Sequence, residues 1–208
     1  MSDLHCPATL LVARHGDAQD DRPSVLSDDG GRLSPLGRHQ VRELAAELAP
    51  RNIARVWSSR LARAAESATI AAQALGVDAV EVDGLQELSV GTLAGRDPDD
   101  PELASVFRAW ADGDLERCIP GGESGEGVVR RYREGLLTIA DQHRGETVLV
   151  FSHGGVMSFV LPRLAATVRR DLAEQRFLTP CAVSEVAVDG DGFRVLTWPG
   201  TPPPPDAP

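Results

Sequence analysis

Two kinds of apolar pattern alternate along this chain. Short unbroken runs, Leu10-Leu11-Val12-Ala13 and Val148-Leu149-Val150-Phe151, read as strands buried on both faces. Longer stretches with apolar residues three and four apart read as amphipathic helices. The first strand is Leu10 to Ala13, followed by a polar loop from Asp17 to Gly31. Ser34-Pro35 then supplies an N-cap and a first helical residue. Leu36, Val41, Leu44, Ala45 and Leu48 form that helix's apolar face, and Pro50 ends it. Ile53 to Trp57 is a second strand. Ser58-Ser59 caps the next helix, which faces Leu61, Ala64, Ala65, Ala68 and Leu75 inward and closes on Gly76. Val77 to Val82 is a third strand.

The pattern turns irregular between Asp83 and Gly122, with one short helix around Pro101 to Ala111. This stretch, and 89–122 in particular, reads as an insertion that covers a substrate. A long helix from Ser124 carries Val128, Val129, Tyr132, Leu136 and Ile139 on one face. Thr147 to Phe151 is a central-type strand, and Gly154 to Leu164 a helix disturbed near its end by Pro162. Val183 to Val188 and Phe193 to Trp198 form a closing hairpin. Strands alternating with helices predict α/β layering. No repeat interrupts it, so one domain is expected over residues 1–200, with a proline-rich disordered tail at 201–208.

Composition narrows the chemistry. The 208 residues carry a net charge of −10, which speaks against nucleic-acid and anionic-membrane partners. All 21 basic residues are arginine, so no Schiff-base lysine, pyridoxal-phosphate lysine or P-loop lysine exists. Cys6, Cys118 and Cys181 are odd in number and lack metal-ligand spacing, as expected of reduced thiols in the cytoplasm. No signal-peptide h-region and no stretch of transmembrane length stands out.

The candidate chemistry sits where strands end. Arg14-His15-Gly16 follows the first strand, and His153-Gly154-Gly155 follows the run ending at Ser152. Side chains at the C-terminal ends of parallel strands face the crevice where open α/β sheets bind ligands. Arg14 brings a planar fork suited to phosphate. The paired arrangement predicts one shared pocket.

Further segments extend this pattern. Leu33-Ser34-Pro35-Leu36-Gly37-Arg38-His39-Gln40, Ser58-Ser59-Arg60-Leu61-Ala62-Arg63-Ala64 and Leu85-Gln86-Glu87-Leu88 come first, with Gly91 and Gly95 behind them. Pro120-Gly121-Gly122-Glu123-Ser124 and Ser152-His153-Gly154-Gly155 follow. Together with Arg14-His15-Gly16 they resemble, in order, the motifs of the histidine phosphatase superfamily, also called phosphoglycerate-mutase-like. The resemblance implies a three-layer α/β/α sandwich with a mostly parallel central sheet.

It also implies site roles. His15 would be the nucleophile, forming a phosphohistidine. Arg14 and Arg63 would grip non-bridging phosphoryl oxygens, with Gly16 and Gly154 admitting the ligand and His153 stabilising the transition state, as a protonated or Nε-donating ring. Spacing alone does not separate Arg63 from Arg60. Glu87 would be the general acid, with Asp83 as its competitor. Asp17 reads as structural or arginine-pairing. Arg96, Phe107, Arg108 and Trp110 are candidates for the substrate side of the insertion.

The expectation is a metal-independent, cofactor-free phosphomonoesterase of the shorter phosphatase branch, acting on a small phosphorylated metabolite. A homodimer through a sheet edge is compatible with it. The rivals are a phosphomutase, a non-catalytic phospho-ligand binding module, and a metal hydrolase using His15, Asp17 and His153.

Overall fold

A computed structural model describes residues 6–19, 25–164 and 178–200. A six-stranded sheet runs in the order β5-β4-β6-β1-β7-β8. Its strands are β1 (Ala8–Arg14), β4 (Ile53–Ser58), β5 (Ala79–Glu81), β6 (Thr147–Ser152), β7 (Val183–Asp189) and β8 (Gly192–Thr197). The first four in spatial order are parallel; β7 and β8 are antiparallel additions.

Side-chain alternation along a strand builds the layers. Leu10 and Val12 of β1, with Val148 and Val150 of β6, enter one core with Tyr132, Leu136 and Ile139 of α4 (Gly125–Gln142) and Val156, Met157 and Val160 of α5 (Gly154–Leu164). Leu11, Ala13, Leu149 and Phe151 enter the opposite core. There they meet Val41 and Leu44 of α1 (Pro35–Leu48) and Ala64, Ala68 and Ala71 of α2 (Ala62–Leu75). The architecture is thus the three-layer α/β/α sandwich expected.

This topology positions the site. The chain leaves β1 towards α1 on one face and leaves β6 towards α5 on the other, although the two strands are neighbours. A crevice opens between strand ends where successive helices diverge in this way.

The insertion is packed rather than loose. Leu93, Leu103, Val106, Trp110 and Ile119 are buried in the same core as β1 and β6, with Leu103, Val106 and Trp110 contributed by α3 (Pro101–Ala111). Three details differ from the sequence expectation. The polar stretch 17–31 contains β2 (Ala18–Gln19), which pairs with β3 (Arg32–Leu33). Leu36 is 57% exposed, because the buried stripe of α1 runs through Gly37, Val41, Leu44 and Ala45 instead. The third strand is shorter than 77–82, since Val77 is spent closing the α2 C-terminus through its N–H to Ala72 O. The tail 201–208 lies outside the described residues.

Candidate active site

The β1–β6 register pairs Arg14 with Ser152, so the two strands end level. The next residue on each is a histidine, and their rings lie 5.3 Å apart between centroids. The His15 N–H donates to Ser152 O at 3.0 Å, which extends the ladder to His15. Beneath, the Tyr132 hydroxyl donates to Ser152 Oγ, and Ser152 Oγ donates to Leu85 O. That buried chain ties strand, helix and the Leu85–Leu88 segment together.

The His15 ring is held at both nitrogens. Nδ1 lies 2.6 Å from Gly16 O, an acceptor only, so Nδ1 carries the proton. Nε2 accepts from Arg63 Nε at 3.0 Å. Burial, aided by the charges of Arg63 and Arg14, pushes the His15 pKa down to about 3. Near neutral pH the ring is therefore a neutral base with its Nε2 lone pair facing a guanidinium.

Arg63 is 6% exposed and also donates to Asp29 O at 2.5 Å. Gly30 has φ +63°, and a Cβ there would meet the Arg63 guanidinium, so a side chain would strain the backbone and displace the guanidinium. Arg14 donates to Leu178 O at 2.5 Å, while its buried Nε has no hydrogen-bond partner among the described residues. A buried guanidinium N–H without an acceptor is costly unless a ligand oxygen completes it. By contrast Arg60 lies at the surface, paired with Asp83 at 2.9 Å. That pairing separates Arg63 from Arg60 and turns Asp83 outward.

Two glycines of the motifs serve packing. A Cβ at Gly16 would strike the backbone of Gly37, and its N–H goes to Ser67 Oγ at 3.3 Å. A Cβ at Gly154 would press on Arg14 Cδ and Nε.

Glu87 is seated on the first turn of α5. Its carboxylate accepts from Gly155 N at 2.9 Å, Val156 N at 2.6 Å and Leu88 N at 3.0 Å. A carboxylate is favoured at a helix N-terminus by its free N–H groups and dipole. Arg14 feels the Glu87 charge more than that of any other acid. The loop itself is fastened by Arg131, which sequence reading had missed. Its guanidinium donates to Gly84 O, Gln86 O and Glu87 O and forks onto both Glu123 oxygens at 2.7 and 3.0 Å. The Pro120–Ser124 motif thus contributes Glu123 as the counter-ion of this clamp, while Ser124 caps α4. The one available signal was the eight-residue spacing from Glu123 to Arg131, which says little without the fold.

Two expectations about serines and His153 need correction. Ser59 does not cap α2; that helix starts at Ala62 with no side-chain cap. Ser59 Oγ lies instead 2.6 Å from His153 Nε2. His153 is therefore not free to donate from Nε2 into the pocket; Nδ1 is its nitrogen without a partner among the described residues. Nor is it protonated near neutral pH: burial and the nearby Arg63 and His15 hold it well below the usual histidine range.

Asp17 is structural: Oδ2 accepts from Ser34 Oγ at 2.5 Å and its N–H donates to Gln40 Oε1 at 2.8 Å. In the insertion, Trp110 is packing, 1% exposed against Phe159, with its indole N–H on Arg117 O. Arg96 is bound up with Asp100 and Glu102. Phe107 and Arg108 are exposed on α3. Among the described residues no group of three His, Cys, Asp or Glu is placed to hold a metal ion, and no helix is long and apolar enough to cross a membrane.

Two histidines and two arginines thus converge where the parallel strands β1 and β6 end. The chain belongs to the histidine phosphatase superfamily (branch 1), whose family model matches residues 10–201. It is 40% identical over 154 residues to the bifunctional protein Rv2228c of Mycobacterium tuberculosis, covering 71% of this chain but 41% of that protein. The chain thus spans less than half the length of that relative. It is 29% identical over 197 residues to phosphoglycerate mutase-like protein 4 of Arabidopsis thaliana, covering 92% of this chain and 84% of that one. Among solved structures, mycobacterial glucosyl-3-phosphoglycerate phosphatase Rv2419c matches with a TM-score of 0.74 at 21% identity, over 94% of this chain and 100% of that one.

Proposed function

We propose that the protein is a metal-independent phosphomonoesterase that works through a phosphohistidine at His15 on a small phosphorylated metabolite. The observation that carries this reading is the state of His15: Nδ1–H anchored on Gly16 O, and an unprotonated Nε2 aimed at Arg63. Pure phosphate binding has no use for a neutral nucleophile held in that way.

In the first step the Nε2 lone pair forms a bond to phosphorus while the ester P–O bond breaks. Glu87 enters this step in its protonated form and passes that proton to the leaving oxygen. Arg14 and Arg63 hold the non-bridging oxygens, whose charge grows in the transition state. In the second step a water attacks phosphorus, its proton passes to Glu87, and the P–N bond breaks. Inorganic phosphate leaves and the electron pair returns to Nε2.

The names of the relatives keep one second reading in view. A phosphomutase shares the first step and returns the phosphoryl group to the product. Incubation with 3-phosphoglycerate separates the two by phosphate release against isomer formation. The main test is a screen for phosphate release across many phosphomonoesters, with and without chelator, on the wild type and His15→Ala. Turnover that is chelator-insensitive and abolished by His15→Ala is expected. Retained turnover in that variant would refute the role of His15.

A further inference from the structure

We infer that Ser59 is a positioning residue: its hydroxyl donates to His153 Nε2 and thereby fixes the Nδ1–H tautomer, making His153 a neutral donor to a phosphoryl oxygen. This deepens the phosphoryl site proposed above and rests on it.

Ser59 and His153 are both fully buried, so neither can exchange its partner for water. The Ser59 backbone N–H is occupied, donating to Phe151 O at 3.0 Å. Its Oγ already accepts from Leu61 N at 3.4 Å. Its single hydroxyl proton has one acceptor among the described residues, His153 Nε2 at 2.6 Å. If Nε2 carried the proton, Ser59 Oγ would accept it and the hydroxyl's own proton would be left with no acceptor among the described residues. The arrangement that uses the hydroxyl proton puts the ring proton on Nδ1, the nitrogen with no partner among the described residues, where a phosphoryl oxygen would complete it. Neutrality makes the assignment matter, because a neutral imidazole has one proton to offer and the wrong tautomer would present a lone pair to an anion. The two rings thus take opposite parts. Each carries its proton on Nδ1, but His15 offers the pocket its bare Nε2 and His153 its N–H.

The tautomer is read directly by nitrogen NMR of protein labelled with 15N-histidine, with His153 assigned from a His153→Asn spectrum. The expected wild-type pattern is a protonated-type Nδ1 and a bare Nε2, with the Nδ1 signal moving when inorganic phosphate is added. In Ser59→Ala the ring is released to divide between tautomers. If about a fifth keeps Nδ1–H, phosphate binding weakens about fivefold. A wild-type ring protonated at Nε2, or a Ser59→Ala protein with unchanged tautomer and phosphate affinity, would overturn the inference. If Ser59→Ala fails to fold, the wild-type spectra with and without phosphate decide it alone: an Nδ1 signal indifferent to phosphate refutes it. A protein with the Nδ1–H pattern but no turnover of any phosphomonoester would sink the phosphatase reading and leave this one standing.

Discussion

The low basicity of His15 ties stability to pH, and the size of the effect can be worked out. Its folded pKa is about 3 against an ordinary 6.5, so between those values the unfolded chain binds a proton that the folded protein refuses. Where the unfolded state binds more protons, stability rises with pH. The stabilising contribution is therefore complete above about pH 6.5 and is lost as pH falls towards 3. One proton gives a slope of about 1.4 kcal/mol per pH unit, so two units below 6.5 the loss is about 3 kcal/mol from this residue alone. His15→Asn isolates it, because the asparagine amide can still donate to Gly16 O from near the Nδ1 position but does not titrate. Urea unfolding of both proteins between pH 4.5 and 8 reads the difference. The wild type should lose about 3 kcal/mol more than the variant across that range. Parallel pH profiles would show that His15 is neither shielded nor depressed, and the picture of a permanently neutral nucleophile would fall. Other titrating groups, His153 among them, remain in both proteins and largely drop out of the comparison.

Two substitutions test the surrounding parts. Glu87→Gln keeps one of the two oxygens that accept α5 N–H groups and cannot give up an acidic proton. It should slow turnover of alkyl phosphates by about 100-fold or more and of nitrophenyl phosphate far less, as steady-state rates with leaving groups of different basicity will show; equal damage to both would refute the acid role. Gly30→Ala combines a strained backbone with a side chain in the place of the Arg63 guanidinium. A fall in inorganic phosphate affinity of about tenfold or more is expected by calorimetry, and unchanged affinity would mean that Arg63 does not bind phosphate.

The layers, and the strand-end position of both histidines, were legible because short apolar runs such as Val148–Phe151, with glycine close behind, fit strands covered on both sides. Arg14, Arg63, Glu87 and His153 were picked out by motif, and the structure brings them to one place. Contacts across the fold were not legible. Ser59 looks like a helix cap in sequence because serine before an apolar run usually is one. Its partner lies 94 residues away, just past a strand that pairs with the one Ser59 follows. Arg131 likewise reads as one more charge on a solvated helix face until the acid loop is laid across it. Leu36 misled for the opposite reason: helical periodicity marks a stripe, and Gly37 moved that stripe aside by offering no side chain to bury.

The level ending of β1 and β6 has a consequence for how this protein can change. Ring separation is set by hydrogen-bonded register, not by any loop. Removing one residue from either strand would draw its histidine back by about 3.3 Å and swap every following side chain between the helical layers. Segments outside the ladder face no such rule. The exposed positions of residues 89–122, Phe107 and Arg108 among them, can be rewritten while the distance between the two imidazoles stays where the sheet puts it.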